Sequence, residues 1–204
     1  MIEIFTFKTI NAASFHDQAR LRKDVFIDQY HWQGVSQHED MEFDQFDNPR
    51  AHYILVRDRY GKARGCCRLL PTTTPYMLDT LWPEFLGNKI PRSPKIYENS
   101  RYVVDPRLTG SDWKEVHALV SIGYMECLLN MGADQAIYFG QLSILGKGLG
   151  KKRSLNFIPL GDVLQLDGED HIAIITEPIT QDYLQFAKRV HGESEPGIIE
   201  RLVA

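Results

Sequence analysis

Four short blocks in the first half of the chain concentrate arginine, acidic and aromatic residues. The first is Arg22-Lys-Asp-Val-Phe26, followed shortly by Trp32, and the second is Glu42-Phe-Asp44-Gln-Phe46-Asp47. The third runs Gly65-Cys-Cys-Arg68-Leu-Leu-Pro-Thr-Thr-Thr-Pro75-Tyr-Met-Leu78, and the fourth Ile96-Tyr-Glu98-Asn-Ser100-Arg101-Tyr102. A guanidinium fork suits a carboxylate or a phosphate. Arg22 therefore reads either as a clamp for such a ligand or as a surface arginine beside core aromatics. Glu42, Asp44 and Asp47 repel one another; they form a solvated face or hold a cation or a positively charged substrate. Arg68 sits inside an apolar stretch and cannot be buried without a partner. Glu98 and Arg101 interrupt a strand pattern, and their odd separation puts them on opposite faces unless the strand bends or bulges. Two accounts stay open on spacing alone. Asp44, Asp47, Arg68, Glu98 and Arg101 are buried salt bridges, or they floor a polar site.

The elements that must position these blocks follow from periodicity. Ile2 to Phe7 alternates as a strand, and Asn11 caps a helix running to about Gln29. Residues 31 to 49 lack periodicity and read as a long loop. His52–Arg57 and Gly65–Leu70 form two strands joined at Arg59-Tyr60-Gly61-Lys62. A short helix is expected within Tyr76–Leu86 and a strand over Lys95–Val104. Asp112 to Met131 has long helical periodicity, ended by Gly132. Short strands are expected at Ala136–Phe139, Asn156–Leu160, Val163–Leu166 and His171–Ile175, then a helix at Thr180–Val190. The mixture predicts an α/β or α+β sandwich around one mixed sheet.

Composition sets the bounds. With 204 residues, the chain reads as one domain over 1–204. Hydrophobic residues are 43% and charged residues 25%, which argues against disorder. A net charge of −4 predicts no nucleic-acid partner for the chain as a whole. Cys66, Cys67 and Cys127 make neither a disulfide framework nor a zinc clamp and read as buried thiols. The histidines show no ligand spacing with acids or cysteines, so no metal is expected. Met1 to Phe7 does not read as a signal peptide, no stretch reads as bilayer-spanning and no Gly-x-Ser-x-Gly elbow occurs in the sequence, so the expected compartment is the cytoplasm, with no membrane partner expected.

At its four blocks the sequence resembles the acyl-homoserine-lactone synthases, the autoinducer synthases of quorum sensing. The residues that carry the likeness are Arg22, Val25 and Phe26; Trp32; Glu42, Asp44, Phe46 and Asp47; the run Arg68 to Leu78; and Glu98, Ser100 and Arg101. They stand in the family's order and spacing over roughly the first half of the chain. The resemblance implies an N-acetyltransferase-like three-layer α/β sandwich around one mixed, partly splayed sheet. It implies two substrates, S-adenosylmethionine and an acyl thioester on acyl carrier protein or coenzyme A, and no cofactor. Three departures concern the pocket: Trp82 stands where the family usually has Phe, Tyr97 where it has Trp, and Phe139-Gly140-Gln141-Leu142 where many members carry threonines. Chain length, oxidation state and carrier are not carried over.

By this resemblance Arg22, Phe26, Trp32 and Trp82 surround substrate, Trp32 by stacking or by facing the sulfonium. Asp44, Asp47, Arg68 and Arg101 form the charged network of the pocket. The substrate amine must lose a proton, and Glu98 is the first candidate base, with simple orientation of the ligand as its alternative role. Tyr102 and Val103 are positional candidates for a backbone N–H at the oxyanion. Lys147, Lys151, Lys152 and Arg153 are a local basic cluster that reads either as a dock for an acidic carrier or as a solvated turn. The glycine-rich run from Gly146 to Gly150 resembles a pyrophosphate loop, but comes one strand too late. A plain N-acyltransferase and a non-catalytic S-adenosylmethionine sensor are the competing readings.

Overall fold

The computed structural model describes residues 1–32, 37–88, 90–145 and 156–192. Strand β1 (Ile2–Thr6) leads into helix α1 (Ala12–Lys23), whose cap is Asn11 accepting from the Ser14 amide at 2.8 Å. The helix continues as a π-helical turn over Asp24–Gln29. A two-residue hairpin follows, β2 (Gln37–His38) and β3 (Met41–Glu42), within the stretch expected to be loop. Then come β4 (His52–Arg57), β5 (Ala63–Pro71), α2 (Met77–Leu81) with a 3₁₀ turn at Pro83–Leu86, β6 (Ile96–Val104) and α3 (Gly110–Asn130). The chain ends its described part with β7 (Gln135–Gln141), a helical turn α4 (Leu142–Leu145), β8 (Phe157–Pro159), β9 (Leu164–Leu166), β10 (Glu169–Thr176) and α5 (Gln181–Gly192). Gly132, at φ +75°, takes the left-handed position that closes α3.

One sheet runs β1-β4-β5-β6-β7-β10-β8, with β9 also on β10. All described neighbours are antiparallel except β6 and β7. That parallel pair holds only from Ile96↔Gln135 to Glu98↔Ile137, although both strands run on. The sheet is therefore parted from Asn99 onward, as the expected splay requires.

Two apolar clusters flank the sheet. One joins α1 and α2 to Tyr53, Leu55, Cys66, Leu70 and Val103; the other joins α3 and α5 to Ile54, Cys67, Leu69 and Ala136. Residues alternate between them along each strand, which is the period of a sheet covered on both faces. Helix α3 lies close because Gly123 has no side chain: a Cβ there would stand 2.7 Å from Cγ2 of Ile54 and 2.9 Å from Cγ2 of Ile2. Gly123→Val is expected to lower stability by about 2–3 kcal/mol by overpacking, read as an earlier midpoint in urea. No described helix is long and apolar enough to cross a membrane.

Candidate active site

The acid block folds on itself first. The Asp44 amide donates to Asp47 Oδ2 at 2.9 Å, and the Phe46 amide to Asp44 Oδ1 at 2.8 Å. Short acids that satisfy neighbouring amides make a tight turn and fix their own carboxylates. Three arginines from three different elements converge on this turn. From α1, Arg22 donates Nε to Glu42 at 2.5 Å and both terminal nitrogens to Asp47 at 2.9 Å. From β5, Arg68 reaches Asp44 at 2.7 Å and Asp47 at 3.0 Å. From β6, Arg101 reaches Glu42 at 2.9 Å and Asp44 at 2.7 Å. Arg22, Glu42 and Arg68 are fully buried. Three positive and three negative charges cancel, which is how such a cluster survives away from water.

Burial alone would raise the Asp44 and Asp47 carboxyls, but Arg68, with Arg101 at Asp44 and Arg22 at Asp47, outweighs it and holds both below the usual range. Tyr53 on β4 donates its hydroxyl to Asp47 at 3.0 Å, completing the lattice.

Arg101 can join because β6 carries a bulge. Cys66 pairs with Val103 and Arg68 with Ser100, so two residues of β6 stand opposite Cys67. Arg101 takes φ +54°, and the extra residue cancels the parity conflict with Glu98. Both now face α1 and α2. Glu98 is 1% exposed and accepts the Met77 amide at 2.9 Å and the Leu78 amide at 2.8 Å, the first amides of α2. Burial pushes its carboxyl up, against these bonds and the nearby guanidiniums, to about 7.

At the rim, the π-helical turn lets the Trp32 amide bond to the Phe26 carbonyl at 2.9 Å. Trp32 then stacks on Phe26, with centroids 4.8 Å apart and planes at 26°. The Arg101 guanidinium lies over the Phe26 ring at 5.5 Å. Tyr30 also stacks on Trp32, at 6.2 Å, and with Trp32 40% exposed this aromatic group is open in part to a flat or cationic ligand.

The structure thus brings Arg22, Phe26, Trp32, Asp44, Asp47, Arg68, Glu98 and Arg101 together on one face. Within this group Arg22 spends its donors on Glu42, Asp47 and Gln18 instead of facing an opening. Trp82 stands apart, stacked on Phe139 at 5.2 Å. Tyr102 points to the opposite face, where its hydroxyl donates to the His117 carbonyl at 2.8 Å. Val103 is packed into the α1 side of the core. Only backbone groups of these two could meet an oxyanion. Lys147, Lys151, Lys152, Arg153 and the Gly146–Gly150 run lie outside the described residues. Sequence reasoning quoted Glu42 but did not assign it to the site; its burial as a partner to two arginines is the signal it missed. Among the described residues no group of acids, histidines and cysteines could hold a metal.

An open mixed sheet parted between two central strands, covered by helices on both faces, defines the acyl-CoA N-acyltransferase-like class of α/β protein. The chain belongs to the autoinducer synthase family, whose model matches residues 6–149 and so spans all four blocks. It is 38% identical over 101 residues to an acyl-homoserine-lactone synthase of Vibrio anguillarum, covering 49% of this chain and 52% of that one, about half its length. A synthase of the same description from Pseudomonas aeruginosa is 28% identical over 211 residues and covers 97% of both chains. Among solved structures, the CoA-dependent acyl-homoserine lactone synthase MesI superposes with a TM-score of 0.81 at 25% identity, covering 100% of both. TofI, solved in a ternary complex with an inhibitor and MTA, superposes at 0.75 with 27% identity, covering 92% of this chain and 96% of that one.

Proposed function

We propose that this chain is an acyl-homoserine-lactone synthase that joins an acyl thioester to S-adenosylmethionine and closes the methionine part into a lactone. The observation that carries the reading is the part-exposed Trp32, stacked with Phe26 and Tyr30 against a charge-balanced buried lattice, on the sheet face that also carries Glu98 at the parting of β6 from β7. A sulfonium and an adenine both suit an aromatic face. The lattice holds that wall rigid and contributes no net charge against a cationic substrate.

The amine nitrogen of S-adenosylmethionine attacks the thioester carbonyl, the carbon–sulfur bond breaks, and the carrier leaves as a thiol with the proton. Glu98, with its carboxyl near neutrality, is suited to take that proton, directly or through water. The methionine carboxylate oxygen then attacks its own γ-carbon, and the sulfonium leaves as neutral 5'-methylthioadenosine. For this step the protein mainly holds a near-attack conformation and excludes water. Arg68, Asp44, Asp47, Arg22 and Arg101 position the walls, and Trp82 with Phe139 borders the acyl side. S-adenosylmethionine is a substrate in this reading, and coenzyme A or acyl carrier protein brings the acyl group. The cytoplasm, where both are made, is the compartment the reaction requires.

The test is to supply the purified chain with S-adenosylmethionine and a panel of acyl-CoA and acyl carrier protein thioesters. Release of 5'-methylthioadenosine together with an acyl-homoserine lactone supports the reading. Acylation without methylthioadenosine marks a plain N-acyltransferase, and binding without turnover marks a sensor. Trp32→Ala is expected to raise KM for S-adenosylmethionine by roughly 3- to 30-fold, the range of a lost aromatic–cation contact, with a smaller change in kcat.

A further inference from the structure

A cavity of about 410 Å³ opens between α1 and the hairpin that joins β4 to β5, and no residue of the charged lattice lines it. Leu21 and Ala63 supply its apolar lining, while Arg20, Lys62 and Arg107 stand round it with two acids. Those acids are already committed. Asp17 pairs with Arg57 at 2.6 Å and Asp24 with Arg107 at 3.2 Å, and on the hairpin Asp58 pairs with Arg64 at 2.8 Å. Arg20 and Lys62 are exposed and have no ionic partner among the described residues. At the hairpin tip Arg59 lies over the ring of Tyr60, 4.9 Å from its centroid. Tyr60 is 78% exposed, more than any other large hydrophobic side chain among the described residues. In a chain of net charge −4, the cavity and its rim thus hold three cations that no acid answers, beside an exposed tyrosine. Tyrosine and arginine are the residue types that anchor protein interfaces.

The place of this surface bears on the acyl donor. Gly65 pairs with Val104, so the hairpin tip and the end of β6 lie at the same edge of the sheet. β6 is free of β7 beyond Glu98, and the gap between them opens toward that edge. From Glu98 to Val104 is about 20 Å of strand, a span that an extended phosphopantetheine arm covers. We propose that this surface docks an acyl carrier protein: the acidic face of the carrier meets Arg20, Arg59 and Lys62, Tyr60 anchors it beside the cavity, and its arm enters the gap from the end of β6. The inference rests on the synthase reading above and names the macromolecule that delivers the acyl group. Coenzyme A has no protein face to dock, so an acyl-CoA uses the gap without the surface. Contacts among exposed charges weaken with salt, and docking weakens with them.

The experiment measures KM for an acyl-carrier-protein thioester and for the acyl-CoA of the same chain length. It compares the wild type with two double variants, Arg20→Glu with Lys62→Glu and Arg20→Gln with Lys62→Gln. Both sites are exposed and free of ion pairs, so the variants should melt with the wild type. Charge reversal is expected to raise KM for the carrier thioester by at least about tenfold at low ionic strength, with neutralisation between. KM and kcat for acyl-CoA, and KM for S-adenosylmethionine, stay as they are. Added salt should raise the wild-type KM for the carrier and leave that of the reversed variant nearly flat. An unchanged KM for the carrier thioester, an equal rise with acyl-CoA, or a wild type that consumes acyl-CoA and no carrier thioester overturns the proposal. Failure to release 5'-methylthioadenosine from any thioester instead removes the synthase reading. Calorimetric titration with acyl carrier protein then still decides the surface. Binding at low salt that the reversal abolishes supports it; no binding, or equal binding, overturns it. A dimer of this chain that the reversal dissociates gives the surface to a second copy and also overturns the proposal.

Discussion

Asp47→Ala will destabilise the protein by about 3–5 kcal/mol, the usual cost of removing one partner from a buried ion pair. Asp47 accepts both terminal nitrogens of Arg22, lies 3.0 Å from Arg68, and takes the hydroxyl of Tyr53 and the amide of Asp44. Its loss takes one of two carboxylate partners from each of two guanidiniums that are 0% exposed. Denaturant midpoints at neutral pH measure the effect. An unchanged midpoint would mean that the lattice is not holding the turn. Replacing Arg68 as well should recover part of the loss, since a missing pair costs less than a missing partner. The pH dependence follows from the same carboxyls. Asp44 and Asp47 sit below their unfolded values, so their contribution is complete above about pH 4 and is lost as pH falls toward the depressed values. The variant will therefore show a shallower acid limb than the wild type.

Glu98→Gln is expected to lower kcat by about 10²–10⁴-fold, the range for loss of a positioned general base. The wild-type rate should rise through about pH 7 as the buried carboxyl ionises, and the variant should lose that limb. The KM and kcat readings separate two roles. Glutamine puts an NH₂ donor where one of the two accepting oxygens stood, so one backbone amide loses its acceptor and the start of α2 loosens. If Glu98 only anchors α2, KM rises and the pH limb persists. Stability runs the other way from activity. A carboxyl raised from about 4.5 to about 7 by folding makes the protein less stable as pH climbs through that window, because the folded state holds the proton more tightly.

Much of the scaffold was legible because its strands alternate and its long helices carry their caps. Asn11 and Gly132 mark helix ends in the chain, and both do so in the fold. Arg68 inside an apolar stretch demanded an acid partner, and it has two. Glu98 and Arg101 were harder. Parity placed them on opposite faces, and only a bulge could reconcile them; nothing local, no glycine for instance, announced one. The small hairpin at Gln37–His38 and Met41–Glu42 was missed because two-residue strands leave no period to read. The face of Tyr102 likewise depended on the bulge.

The bulge at Arg101 makes the polar face depend on counting. Ser100 and Val103 hold their places because a single surplus position lies between them and β5. Substitutions along this segment change what touches the pocket, one contact at a time. A deletion of one residue there would restore simple alternation and turn the arginine away from its acids while Ser100 and Val103 kept their partners on β5, so this stretch can vary in composition but not in length.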